Sequence, residues 1–99
     1  MNDHQTLVRV HLLISGLVQG VGFRMFTLNH AEILDITGWV RNTGDDRVEV
    51  MAQGSQENIN KLLALLENGP KGAYVTDIEK EWLAPIPGEF YSFRIRGNY

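Results

Sequence analysis

The chain contains no cysteine, which excludes disulfide staples, thiolate metal sites and a cysteine nucleophile together. It also lacks any concentration of positive charge. Nine Lys and Arg stand against twelve Asp and Glu, for a formal charge of −3, and the basic residues are scattered. Nucleic acid and anionic membranes are bound through dense positive charge, so neither is expected as a partner. No apolar run approaches the roughly 20 residues that cross a bilayer, and the polar N-terminus has no signal-peptide pattern, so the expected compartment is the cytoplasm. His4, His11 and His30 have no ligand-like spacing with one another or with carboxylates, so no metal site is expected.

What is present is an ordinary globular composition: 99 residues, 43% hydrophobic and 21% charged. That length predicts a single domain, 1–99, with about residues 1–6 as a flexible N-terminal tail. Val8, Val10, Leu12 and Ile14 alternate with Arg9, His11 and Leu13, the period of a strand with one buried face. After a glycine-rich stretch, Phe23, Phe26, Ala31 and Leu34 recur at helical spacing. Ile36–Asn42 and Arg47–Gln53 read as two strands joined by the turn residues Thr43-Gly44-Asp45-Asp46. A second helix shows Ile59, Leu62, Leu63 and Leu66 on one stripe, with Ser55 as N-cap and Asn68-Gly69-Pro70 as its stop. A fourth strand is predicted from about Asp77 to Ala84, with Lys80 interrupting an inward face of Ile78 and Trp82, and a short last strand from Tyr91 to Arg96.

The order β-α-β-β-α-β is the α+β, ferredoxin-like split βαβ arrangement. Right-handed crossovers then leave strands one and three central in an antiparallel sheet, strands two and four at its edges, and both helices on one face. In that arrangement the ends of strands one and two reach the same rim of the sheet.

Gly16-Leu17-Val18-Gln19-Gly20-Val21-Gly22-Phe23-Arg24 joins the first strand to the first helix. Backbone amides that run into a helix N-terminus form an anion-binding concavity. Gly20 and Gly22 leave it uncovered, and Arg24 adds a planar cationic fork suited to a phosphate or carboxylate. A plain strand-to-helix turn with a surface arginine fits the same residues equally well. Asn42 at the strand end likewise reads, taken alone, as a turn residue bonding its own backbone.

The nine-residue stretch resembles the first signature of the acylphosphatases at every fixed position. Gly38-Trp39-Val40-Arg41-Asn42, followed by a hairpin, Val48 and Gly54, is similar to that family's second signature. Asp46 stands where the family usually has a hairpin glycine, and Asp35 where it often has a helix-ending one; Asp tolerates left-handed backbone, so both turns are expected to survive. The resemblance implies a monomeric hydrolase of a small-molecule acyl phosphate that needs no metal or cofactor. It implies that Arg24 and the loop amides of Gln19, Gly20, Val21, Gly22 and Phe23 hold the phosphate while Asn42 positions water. A non-catalytic phosphate- or carboxylate-binding module is the alternative on the same fold. RNA binding fits less well, because Arg9, His11, Leu13, Arg47, Glu49 and Met51 occupy the central-strand positions where stacking aromatics would be needed.

Overall fold

The computed structural model describes residues 6–97. Its elements in order are β1 (Leu7–Leu17), α1 (Phe23–Ile33), β2 (Thr37–Asn42), β3 (Val48–Ser55), α2 (Gln56–Asn68), β4 (Tyr74–Leu83) and β5 (Phe93–Ile95). Of the expected N-terminal tail, residues 1–5 lie outside the described residues. Thr6 is tied to the body, since its carbonyl accepts from the Gln56 amide at 2.9 Å.

The sheet order is β4-β1-β3-β2-β5. β1 pairs antiparallel with both β3 and β4, and β3 with β2, which leaves β1 and β2 parallel to each other across β3. The expectation that strand two forms an edge is corrected: β5 pairs with it in parallel through Gly38–Phe93, Trp39–Arg94 and Val40–Ile95, so the sheet is mixed. The reason lies in the segment between β4 and β5, which crosses the face of the sheet away from the helices. There the Gln53 side chain donates to the Ile86 carbonyl at 3.0 Å and accepts from the Ile86 amide at 2.9 Å. Arg9 pairs with Glu89 at 2.5 Å, and its guanidinium lies 5.0 Å from the centre of the Phe90 ring. The chain is thereby carried across to the outer side of β2.

The alternation in β1 and β3 sends Val10, Leu12, Ile14, Val48, Val50 and Ala52 toward the helices, where they meet Phe23, Ala31, Ile59, Leu62 and Leu66. Burying each large apolar side chain stabilises by about 1.5–3 kcal/mol, so this one layer holds the helices to the sheet. Thr27, the buried polar residue in α1, satisfies its hydroxyl by donating to the Phe23 carbonyl at 2.9 Å. Ser55 caps α2 as expected, its Oγ accepting from the Asn58 amide at 3.2 Å. β4 packs only weakly: Ile78 is half-buried, and Lys80 and Trp82 are exposed.

Candidate active site

The rim shared by the ends of β1 and β2 is where the glycine-rich stretch meets Asn42. Gly20 and Gly22 sit at φ +76° and +80°, and a Cβ added at either would meet no protein atom within 4 Å. They are therefore required by the left-handed backbone rather than by crowding. Gly22 begins α1 without a side-chain cap, and the helix has no acidic residue in its first turn. The first intrahelical bond runs from the Phe26 amide to the Gly22 carbonyl at 3.0 Å. The amides of Phe23, Arg24 and Met25 thus precede the helical ladder, and the positive end of the helix dipole has no acidic side chain of its own turn to offset it.

Phe23 fixes that first turn in place. Its ring is 1% exposed, and its Cε2 lies 2.7 Å from where a Cβ on Gly69 would stand, so the glycine that ends α2 makes room for it. On β2, the positions Gly38, Val40 and Asn42 face the helices, which directs Asn42 toward α1 at 9% exposure. A cleft of about 240 Å³ results, lined by Gly20, Gly22, Phe23, Arg24 and Asn42, with Met25 and Ile95 at its apolar side. Gln19 and Val21 are not part of that lining.

Gln19 turns the other way, and sequence reasoning missed what its side chain does. Its Nε2 donates to the carbonyls of both Thr43 and Arg47 at 2.9 Å, clamping the loop to the hairpin that carries Asn42. The one available signal is a two-donor side chain in a loop otherwise made of glycine and valine. The hairpin itself is closed by Thr43, whose Oγ1 donates to Asp45 at 2.5 Å and accepts from the Arg47 amide at 3.0 Å. Arg47 pairs with Asp45 at 2.7 Å and reaches Glu79 on β4 at 3.1 Å. The hydrogen bond from Arg47, followed by that from Thr43, lowers the Asp45 carboxyl to about 2. Asp46 takes φ +68° and Asp35 φ +58°, the left-handed backbone expected where glycine is usual. Asp46 does not line the cleft.

On the opposite face, Glu49 accepts from Arg41 at 2.6 Å and pairs with His11 at 2.6 Å. Burial pushes its carboxyl up, but the bonds to His11 and Arg41 outweigh this and hold it below its ordinary value. Among the described residues, no three His, Asp or Glu side chains converge as metal ligands, and no helix is long and apolar enough to cross a membrane.

The fold and cleft define a split βαβ domain in which a glycine-rich turn at a helix N-terminus, Arg24 and the Asn42 amide side chain line one cleft. Residues 10–95 match the acylphosphatase family. An acylphosphatase of Rhizobium etli is 44% identical over 97 residues, covering 98% of this chain and all of that one. The crystal structure of an acylphosphatase from Bacillus subtilis superposes with a TM-score of 0.86 at 32% identity, covering 90% of this chain and 98% of that one. One from Coxiella burnetii gives 0.85 at 36%, covering 91% and 93%. The chain belongs to the acylphosphatase family.

Proposed function

We propose that this chain hydrolyses acyl phosphates to a carboxylate and inorganic phosphate, with the phosphate held by Arg24 and the loop amides from Gln19 to Phe23 and the attacking water oriented by Asn42. The observation that carries the reading is the convergence of Arg24, the uncovered backbone at Gly20 and Gly22, and Asn42 on one cleft at the start of α1.

The water oxygen attacks phosphorus, the bond from phosphorus to the acyl oxygen breaks, and the carboxylate leaves with that electron pair. A carboxylate is a good leaving group, so no general acid is required. A loose phosphoryl transition state asks mainly for positioning and for positive charge on its equatorial oxygens. Arg24 and the amides preceding the helical ladder supply that charge. Asn42 both donates and accepts, so it fixes the water's orientation without acting as a base, and the water's proton passes to a phosphate oxygen. The exposed side chains of Met25 (51%) and Ile95 (38%) are the apolar surface available to the acyl group. Ile95→Ser is expected to raise KM for an aromatic acyl phosphate more than for acetyl phosphate.

The test is hydrolysis of aromatic acyl, acetyl and carbamoyl phosphates by purified protein in excess chelator, since this chemistry needs no metal. Turnover is expected; measurable phosphate binding without turnover favours the non-catalytic binding module instead. The proposal extends to a monomer acting in the cytoplasm without nucleic acid. Light scattering, cell fractionation and a nucleic-acid retention assay check these three points.

A further inference from the structure

A second cleft, of about 250 Å³, lies on the face of the sheet opposite the candidate active site, between β2, β5 and the crossing segment. Trp39, Phe90 and Tyr91 supply its aromatic walls, and Arg94 and Arg96 its charge. The period of β5 separates the two sites: Ile95 lines the first cleft, while its neighbours Arg94 and Arg96 line the second. The Arg96 amide continues the pairing of β5 by donating to the Val40 carbonyl at 2.9 Å, so the side chains of Arg94 and Arg96 leave the same face about 7 Å apart at the backbone. That is a spacing from which both forks reach a single anionic group.

The electrostatics single this cleft out on a chain whose net charge is −3. Glu89 is its one acidic lining residue, and Glu89 is 2.5 Å from Arg9. The nearby Glu49 is already engaged by Arg41 and His11. Among the described residues, Arg94 and Arg96 have no carboxylate partner. Arg96 lies 4.5 Å from the centre of the Trp39 ring, which props its fork beside the opening. Tyr91, another lining residue, is 94% exposed and so open to contact by a ligand. The volume falls below the roughly 300–1,000 Å³ of sites for drug-sized ligands, so the occupant is small.

We propose that this cleft is a binding site for a small aromatic anion, a carboxylate or phosphate carried on one flat ring, with its charge between Arg94 and Arg96 and its ring against Tyr91 and Phe90. The site is independent of phosphoryl hydrolysis and stands whether or not the first cleft is catalytic. It reads both halves of the ligand: the forks select charge and oxygen geometry, and the aromatic walls select a planar body.

The experiment uses Trp82→Phe protein, so that Trp39 is the only indole, with benzoate and phenyl phosphate as probes and acetate and inorganic phosphate as non-aromatic controls. Saturable quenching of Trp39 by the aromatic probes is expected, with acetate and phosphate at least about tenfold weaker. Arg94→Gln, which leaves the Arg96–Trp39 stack in place, is expected to weaken the probes about tenfold or more; Arg24→Ala is expected to leave them unchanged. Amide NMR shifts should include a set at residues 38–39 and 90–96 that persists in Arg24→Ala, separate from any set that phenyl phosphate produces at 18–25 and 42 through the first cleft. Loss of quenching in Arg24→Ala, shifts confined to the first cleft, or equal binding of acetate and benzoate overturns the proposal.

Discussion

Removing the Gln19 clamp separates the contribution of loop placement from that of the groups that touch substrate. In Gln19→Met the side-chain volume is nearly kept and both donors are lost. Each neutral hydrogen bond contributes about 0.5–1.5 kcal/mol, so the pair contributes about 1–3 kcal/mol. The Arg47 carbonyl keeps the Thr43 amide as a donor at 2.9 Å. Only the Thr43 carbonyl loses the partner described for it, which places the expected cost at about 1–2 kcal/mol. In a domain of this size that lowers Tm by roughly 5–15 °C, measurable by thermal unfolding. The kinetic effect follows from geometry: the clamp sets the loop that leads into Arg24 at the start of α1 against the hairpin bearing Asn42. A displacement of about 1 Å between reacting groups costs up to about 10²-fold, so kcat is expected to fall about 10- to 100-fold with less change in KM. A variant with lowered Tm but wild-type kcat, assayed well below its transition, would refute the idea that this clamp aligns the site.

In the proposed role Arg24 makes two charge-assisted hydrogen bonds to the transferring group, at about 3–6 kcal/mol, so Arg24→Ala is expected to reduce kcat/KM about 10²- to 10⁴-fold; Arg24→Lys should recover only part, as a point charge without the fork. Near-full activity in the alanine variant contradicts the role. The Asp45 carboxyl is depressed to about 2 in the folded chain from an ordinary 3.8, so its pairing with Arg47 and Thr43 stabilises fully above the ordinary value. That contribution is lost as pH falls through about 2. Asp45→Asn should flatten the acid limb of denaturant-unfolding stability between those values, and an unchanged limb speaks against the hairpin pairing. Gly69→Ala places a Cβ 2.7 Å from the Phe23 ring at a residue with φ +68°. Overpacking and left-handed strain together are expected to cost about 2–5 kcal/mol by urea unfolding, with any surviving activity reduced through the displaced first turn of α1.

Much of the fold was legible because local and global signals agree. The alternation in β1 and β3, the Ser55 cap and the stop at Gly69 each have a short-range cause, and each lies where the pattern places it. Asp35 and Asp46 were legible as left-handed positions because Asp is one of the few side chains that accept them. The partner of β5 was not, since a three-residue strand carries little pattern. Its place beside β2 depends on contacts of Gln53 and Arg9 with residues 86–90, more than 30 positions away. β4 begins at Tyr74 rather than near Asp77 because a register shift at Ser15/Gly16 lets the chain go on pairing as far as Leu17–Tyr74. At the site, the two signatures brought Arg24, the glycines and Asn42 to one rim. The clamp by Gln19 and the alternation of β5 between two clefts depend on which way side chains leave the backbone in three dimensions.

The central claim is that Asn42 orients water while Arg24 and the loop hold phosphate, and Asn42→Ala tests it most directly. The measurement pairs kcat on an aromatic acyl phosphate with the inhibition constant for inorganic phosphate, in the same preparation. Turnover is expected to be largely lost while the phosphate constant stays near the wild-type value. Retained turnover, or an equal loss of turnover and phosphate binding, contradicts the assignment.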